Sequence, residues 1–184
     1  MPKLSVACFA ATIIKPFVTQ DNLKMVYHSY FHSIINYRII YWENSSYSNI
    51  IFKLQKRIIR IVMGVGIRDS SRGLFKILKI LPLVPQYTFS LLFFMVNNKN
   101  QFQMNSEIYN VNNRNNSNFY QPLTHLTIYQ KDPFYMGIKV HNSQPHEIKD
   151  LSHNIKKFKS FPRGFLQQLS FYTLEEYISY KEGV

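Results

Sequence analysis

A chain of 184 residues is long enough to bury the core of one domain, with or without a small appendage. Hydrophobic residues make up 46% of it, and the 15 Phe and 13 Tyr argue against general disorder. The formal net charge of +12 favours a polyanionic partner, either nucleic acid or an anionic membrane. Residues 1–100 carry 13 Lys and Arg against three acids, whereas residues 101–184 carry nine against seven. The electrostatic function is therefore expected in the first half.

The first forty residues predict two helices. Apolar residues from Lys3 to Ile14 form a short first helix, and Pro16 breaks it because proline cannot continue the helical hydrogen-bond ladder. Thr19 is a typical N-cap, and the sequence LKMVYHSYFHSIINYRIIYW after it places apolar and aromatic residues at helical spacing. We therefore expect one long second helix that reaches Trp42.

A third helix is predicted from about Asn49 to Met63, with Ser45 or Ser46 as its cap and Gly64 at its end. At about 100° per residue, a helical wheel gives this helix two distinct faces. One sector holds cations, namely Lys53, Lys56, Arg57 and Arg60. The opposing side holds apolar residues, namely Ile50, Ile51, Leu54, Ile58, Ile61 and Val62.

Two more helices are expected before residue 97. Asp69 or Ser70 can cap a short helix through SRGLFKILKI, which ends at Leu81–Pro82, and Pro85 opens a helix through QYTFSLLFFMV. The apolar stretch ILPLVPQYTFSLLFFMV is the only candidate for a membrane span, but it is short for one and contains two prolines and a glutamine. A buried helix is therefore the expected structure here.

The second half of the chain has a different composition. Residues 97–118 contain ten asparagines and no leucine, which indicates an irregular or mobile connection. The sequence LTHLTIYQ alternates enough for a short strand or extended segment, and PFYMGIKVHNSQP predicts an amphipathic helix that ends before Pro145. Helix is also expected over residues 147–169, interrupted by Pro162 and Gly164, and as a weak last turn or two in FYTLEEYISY.

These elements together predict a mainly α fold. Residues 1–97 are expected to form a domain of about four to five bundled helices, and residues 98–122 an Asn-rich linker. Residues 123–184 are expected to form a small helical C-terminal extension, in which one short strand pair is an option.

No catalytic constellation can be recognised. Polymerases, nucleases and glycosidases need paired carboxylates, but the adjacent Glu175 and Glu176 lie in an acidic tail that favours a solvated face. Gly64 and Gly66 lack the third glycine and the Lys-Ser or Lys-Thr of a phosphate loop, and they follow a helix. The four aspartates stand apart in the sequence, namely Asp21, Asp69, Asp132 and Asp150.

The histidines and the cysteine do not indicate a metal site. His28 and His32 have metal-ligand spacing, but Ser29 stands where the zincin pattern requires Glu, so packing or surface roles are expected. The single Cys8 cannot form an intramolecular disulfide, which favours a reducing compartment. The start MPKLSVACFAATIIKPF superficially matches a secretory signal, but its apolar run ends as a helix does. We expect an intracellular protein, in the nucleus or cytoplasm, and not a secreted one.

The remaining feature is a concentration of cations that can neutralise phosphates without reading sequence. The candidate nucleic-acid-binding residues are Lys53, Lys56, Arg57, Arg60, Arg68 and Arg72, continued by Lys76 and Lys79. Five upstream aromatics can stack on bases, although such spacing is more typical of a core: Tyr27, Tyr30, Tyr37, Tyr41 and Trp42. A merely solvated cationic face is the alternative, and the charge asymmetry favours binding.

Four segments occur in an order that resembles a known family. They are KLSVACFA, then IKPFVTQDNLKMVYHSYFHSIINYRIIYWENSS, then FKLQKRIIRIVMGVGIRDSSRGLFKILKILPL, then IKVHNSQPHEIKDL. From about Lys3 to Tyr180 the chain resembles the carboxy-terminal part of reverse transcriptases of jockey-like, insect-type non-LTR retrotransposons. In that family this region follows the polymerase palm and comprises the thumb and a C-terminal extension, and the thumb holds the template-primer duplex.

The resemblance implies a fragment of the RNA-directed DNA polymerase of a mobile element. The family's paired catalytic aspartates lie upstream of anything present here, so no catalytic residue is carried over and the chain is not expected to be an enzyme by itself. No cofactor is expected in the fragment, although the full-length enzyme would use Mg. The implied partner is RNA or RNA–DNA hybrid bound with tolerance of sequence, and neither a membrane nor a small-molecule ligand is expected.

The chain departs from the family pattern at several positions. The family usually has Gly at Arg38 and Glu43, Cys at Ser71 and an aromatic at His141, and Pro162 interrupts a segment that is normally helical. Such substitutions suggest a copy no longer under selection. Two other hypotheses therefore accompany the leading one: a basic amphipathic helical module on an anionic membrane, and a non-functional translated remnant.

Overall fold

The computed structural model describes residues 2–109, 116, 118–144, 149, 158, 164, 166–167 and 171–182. In this part of the chain the fold is mainly α, as predicted. The strand pair considered for the C-terminal extension is not found among these residues, whose β-pairing is an isolated antiparallel bridge between Met104 and Phe119.

The chain divides into two compact units. Unit 1 comprises Met1–Gln86 and Gln167–Tyr172, and unit 2 comprises Tyr87–Leu166 and Thr173–Val184. The domain boundaries expected near residues 97 and 122 stay predictions.

The helices of unit 1 are α1 (Pro2–Ile14), α2 (Gln20–Val26), α3 (Ser33–Asn36), α4 (Ile39–Trp42), α5 (Ser48–Met63) and α6 (Arg72–Leu78). Helix α7 (Leu83–Asn97) contains the boundary between the units. The described helices that follow are α8 (Asn105–Ile108), α9 (Thr127–Gln130), α10 (Pro133–Asn142) and α11 (Leu174–Glu182).

Helix α1 packs against α5, and its buried positions explain how closely it does so. Three of these positions carry small side chains, Ala7, Cys8 and Ala11, which let the two helices approach. The Cys8 thiol is fully buried and donates to the Leu54 carbonyl oxygen at 3.7 Å. The sequence-based bounds of α1 are confirmed within one residue.

The long second helix expected from Thr19 to Trp42 is wrong beyond Asn36. Thr19 caps α2 as predicted, with its hydroxyl accepting from the Asn22 N–H at 3.4 Å, and a π-helical segment over Tyr27–His32 continues into α3. Helical structure then stops at Asn36, because Tyr37 takes an extended backbone conformation and Arg38 a left-handed one with φ of 53°. That conformation starts a tight turn, and α4 follows as a separate helix.

Helix α5 has the predicted length, and Gly64 ends it in a left-handed conformation with φ of 71°. The Val65 N–H donates to the Arg60 carbonyl oxygen and the Gly64 N–H to that of Ile61, which is a Schellman motif. The expected cap by Ser45 or Ser46 is wrong, because the N-cap residue is Tyr47 and no side chain caps it.

The buried face of α5 differs from the helical wheel at several positions. Ile51, Ile58 and Val62 are buried as predicted, whereas Ile50 is 47% exposed. Gln55 is buried instead, and its amide donates to Tyr27 Oη and to the Leu81 carbonyl oxygen, both at 3.0 Å. A polar side chain was not expected on this face. Two hydrogen bonds from Nε2 offset part of the cost of burying it, whereas the buried Oε1 has no hydrogen-bond partner in the described part of the chain.

Helix α6 begins later and ends earlier than the sequence suggested. Its N-cap residue is Ser71, and the Asp69 carboxylate accepts from the Gly66 N–H at 2.7 Å instead of capping the helix. Lys79 ends the helix with φ of 55°, and the Ile80 N–H donates to the Phe75 carbonyl oxygen. This is a second Schellman motif with lysine where α5 has glycine.

Helix α7 starts at Leu83, so that Pro85 lies in its first turn, where proline is tolerated. No single helix in the described residues is long and apolar enough to cross a membrane. Helices α6 and α7 meet the length and composition requirement only as a pair, with a bend of 53° between them.

In unit 2 a buried cluster is formed by Met95, Phe102, Phe119 and Ile138.

Helix α10 confirms the amphipathic helix predicted before Pro145, with Asp132 as its N-cap. The strand or extended segment expected in LTHLTIYQ is wrong for residues 127–130, which form α9. The expected irregular connection contains the short α8, and the weak last turn is a nine-residue helix, α11. The helix expected over 147–169, with Pro162, lies largely outside the described residues.

Candidate nucleic-acid interface

Three of the candidate cations lie side by side along α5. Lys53 is exposed, and Lys56 and Arg60 are partly buried at the edge of the helix. Burial lowers the pKa of Lys56, and the neighbouring charges of Arg60 and Lys53 lower it further. The three cations therefore repel one another, and a bound anion would relieve that repulsion.

An aromatic cluster connects this row of cations to α6. The Lys56 ammonium lies 4.5 Å from the ring centroid of Phe52 and 5.7 Å from that of Tyr172, and the Arg72 guanidinium lies 4.5 Å from the Tyr172 centroid. Phe52 and Tyr172 meet edge to face, with centroids 4.9 Å apart. The hydroxyl groups of Tyr172 and the buried Ser71 are 3.0 Å apart, in hydrogen-bond contact. One tyrosine ring thus holds two cations in place.

We call Lys53, Lys56, Arg60 and Arg72 the basic surface. The guanidinium group of Arg60 is held in place, because its Nε–H donates to the Asp69 carbonyl oxygen at 2.8 Å. This bond ties the end of α5 to the loop that precedes α6.

The other two predicted residues make no cation–π contact with the aromatic cluster, although Arg57 lies one turn of α5 after Lys53. Arg57 is exposed and lies close enough to Cys8 for its charge to act on the thiol, whose pKa is raised mainly by burial and lowered in part by Arg57. Arg68 is exposed in the loop between α5 and α6, and Lys76 and Lys79 are exposed on or beside α6.

Sequence reasoning missed the aromatic residues that hold the basic surface. Phe52 precedes Lys56 by four residues, a spacing that places both side chains on one face of a helix, so the helical wheel did contain a signal for this contact. Tyr172 belongs to a segment that the sequence placed in the C-terminal extension, 101 residues away from its partner Ser71. The aromatic residues proposed for base stacking differ in burial. Tyr27 is fully buried and cannot reach a base, whereas Tyr30, Tyr37 and Tyr41 are exposed.

The histidine pair packs within unit 1. The rings of His28 and His32 meet edge to face with centroids 5.4 Å apart, and His32 Nε2 is 2.7 Å from the Asn36 side-chain nitrogen. Among the described residues, no three His, Cys, Asp or Glu side chains come close enough to hold a metal ion.

Comparison with known proteins returned no match: no family model, no curated protein and no solved structure is similar to this chain.

Proposed function

We propose that this chain binds the phosphate backbone of nucleic acid through the basic surface. The observation that carries the proposal is the charge balance of the segment that builds it. Between Glu43 and Glu107 the sequence contains nine Lys and Arg and one acid, Asp69, whose carboxylate is engaged with a backbone N–H. Phosphates are the common biological anions arranged in a row, and a row of cations along a helix matches them.

The basic surface suits contact with the backbone rather than with base edges. The Lys56 ammonium lies over Phe52 and the Arg72 guanidinium over Tyr172, so each side chain is already partly ordered and loses little conformational entropy when a phosphate binds. A phosphate beside Lys53, Lys56 and Arg60 also reduces their mutual repulsion and favours the charged form of Lys56. Contacts of this kind position a duplex and carry no sequence information.

We further propose that the chain corresponds to the thumb and C-terminal extension of a jockey-like non-LTR retrotransposon reverse transcriptase, without the palm active site. The mainly α fold and the basic surface support this assignment. So does Arg38, which replaces the glycine usual in that family: its φ of 53° is a conformation in which glycine is favoured. The expected ligand is an RNA–DNA hybrid bound without sequence preference.

A salt series on the binding of a labelled RNA–DNA hybrid tests the proposal by fluorescence anisotropy. The test variant carries Lys53→Gln, Lys56→Gln and Arg60→Gln. Each lost phosphate contact makes the slope of log affinity against log salt shallower by about 0.9. The slope of the triple variant should therefore be shallower than that of wild type by about 2.7. Binding by wild type should fall steeply between about 50 and 200 mM salt.

A matched control removes the same charge elsewhere, with Lys24→Gln, Lys131→Gln and Lys139→Gln. This control should keep the wild-type slope. An equal loss in both variants would show that net charge alone drives binding, and an unchanged slope in the test variant would refute the basic surface. Nucleotide incorporation by the purified chain on a primed template would contradict the assignment to a region without the active site.

A second candidate function is binding to an anionic membrane surface. It is favoured by Ile67 and Ile77, which are 88% and 66% exposed beside the cations Arg68 and Lys76. Co-sedimentation with phosphatidylserine vesicles, together with no binding to the hybrid, would favour this function over the first.

A further inference from the structure

Unit 1 contains an aromatic pocket of about 430 Å³ whose lining includes no residue of the basic surface. Tyr37, Trp42 and Tyr47 line it, and Ile35 and Ile51 are apolar side chains of its wall. Among the described residues that line this pocket, Lys3 is the one cation and none is acidic. The volume lies in the range of about 300–1,000 Å³ typical of small-ligand sites.

The turn at Arg38 positions two of the aromatic rings of the pocket, Tyr37 and Trp42. The Trp42 Nε1–H donates to the Tyr37 carbonyl oxygen at 2.9 Å, which fixes the indole ring across the turn. The Arg38 guanidinium lies 5.5 Å from the Tyr37 ring centroid. A non-glycine residue with positive φ is a costly way to build a turn, and such strain is common at binding sites.

We infer that this pocket receives one unpaired nucleobase of a single-stranded nucleic acid. The base would stack on the rings of Tyr37, Trp42 and Tyr47, while its flanking phosphates meet Lys3 and Arg38. Two observations favour this ligand over an uncharged apolar one. The first is that Lys3 lines the pocket and the Arg38 guanidinium lies over the Tyr37 ring. The second is that the aromatic side chains of Tyr37 and Tyr47 are 69% and 58% exposed to solvent. Stacking accepts every base, because each base has a π-face.

This inference rests on the proposed function and extends it from the phosphate backbone to an exposed base. A base inside a duplex cannot reach the pocket, so the ligand is a single-stranded end, loop or overhang. The inference therefore predicts a preference that the basic surface alone does not give, since cations on α5 and α6 contact the phosphates of paired and unpaired strands alike.

Fluorescence of Trp42 gives a direct test, because it is the single tryptophan of the chain. An oligothymidylate of about ten nucleotides, within the usual site size for single strands, is titrated into the full chain and compared with an abasic strand of equal length. Anisotropy of a label on each strand reports binding, and Trp42 emission reports the pocket. The thymidylate should quench Trp42 and bind more tightly, while the abasic strand should bind by its phosphates without quenching.

The outcomes separate the inference from the function on which it rests. If both strands bind and neither quenches Trp42, or both quench it equally, the pocket does not take a base and the inference is wrong while backbone binding stands. If neither strand binds, the inference is wrong, and the salt series on the RNA–DNA hybrid decides separately whether backbone binding stands.

Two variants confine the effect to the pocket. Tyr37→Leu should weaken thymidylate binding by about tenfold, as expected from loss of one stacking platform, and leave the abasic strand unaffected. Phe17→Leu is the matched control, because Phe17 is an aromatic residue of unit 1 that is 85% exposed and does not line the pocket. Equal weakening by the two variants would refute the inference. Circular dichroism confirms folding, and Tyr47→Leu replaces Tyr37→Leu if the latter unfolds.

Discussion

Replacing His141 by Phe should remove an acid-sensitive group from the interior of unit 2. His141 is only 5% exposed, and its ring centroid lies 4.6 Å from that of Phe119. Burial lowers the pKa of His141 to about 4, the charges of Lys149 and Lys99 act in the same direction, and a hydrogen bond with the Asn142 side chain opposes them. The imidazole is therefore held neutral in the folded chain.

The magnitude follows from the difference between the folded and unfolded pKa values. In the unfolded chain a histidine titrates near pH 6.5, so acid adds a proton to the unfolded state before it can add one to the folded state. Above pH 6.5 the ring is neutral in both states and does not affect the free energy of unfolding. As the pH falls from 6.5 towards 4, the unfolded chain takes up a proton that the folded chain does not, and the free energy of unfolding falls. At about 1.4 kcal/mol per pH unit, the loss at pH 5 is about 2 kcal/mol.

Urea unfolding followed by ellipticity, at pH values of about 7.5 and 5, measures this loss. Phe keeps the contact with Phe119 and binds no proton, so the drop in free energy of unfolding between the two pH values should be about 2 kcal/mol smaller in His141→Phe. His125→Phe, at an exposed position, controls for the loss of an imidazole as such. The same pH dependence in wild type and His141→Phe would refute the reasoning.

Four other substitutions test particular contacts of unit 1. Lys79→Gly should raise the free energy of unfolding by about 0.5–1 kcal/mol, because φ is 55° there and glycine has no Cβ penalty; a lower melting temperature would contradict this. Gly64→Ala, at the equivalent position of α5, should lower it by about 1 kcal/mol, and no change in a urea melt would argue against backbone strain. Gln55→Leu removes two buried hydrogen bonds, one of them to Tyr27 Oη, together with the unpaired Oε1, and should lower the free energy of unfolding by about 1–2 kcal/mol in the same assay; a neutral result would contradict this. Tyr172→Leu frees two cations and should weaken hybrid binding by about threefold to tenfold, whereas Tyr172→Phe, which keeps the ring, should not.

Helix positions were predictable where local signals agree. The amphipathic pattern of α5 and the glycine that ends it are both local signals that favour the same helix, and the predicted bounds of α5 were confirmed. The break at Arg38 was not predictable from composition, because arginine is a good helix former and the turn depends on neighbours such as the Trp42 side chain, which bonds back to Tyr37. The same holds for Lys79, whose left-handed conformation lets the N–H of the buried Ile80 donate to the Phe75 carbonyl oxygen.

From the sequence alone follow the mainly α fold, the two-faced α5 and the concentration of cations in the first half of the chain. These properties depend on spacing along one helix and on charge, both of which are local. Only the tertiary structure decided that Tyr172 holds Lys56 and Arg72, and that Tyr37, Trp42 and Tyr47 enclose a pocket. The tertiary structure also decided the burial of His141, which lowers the pKa of its imidazole. Each of these depends on side chains brought together by packing, and neither periodicity nor composition records which distant residues meet.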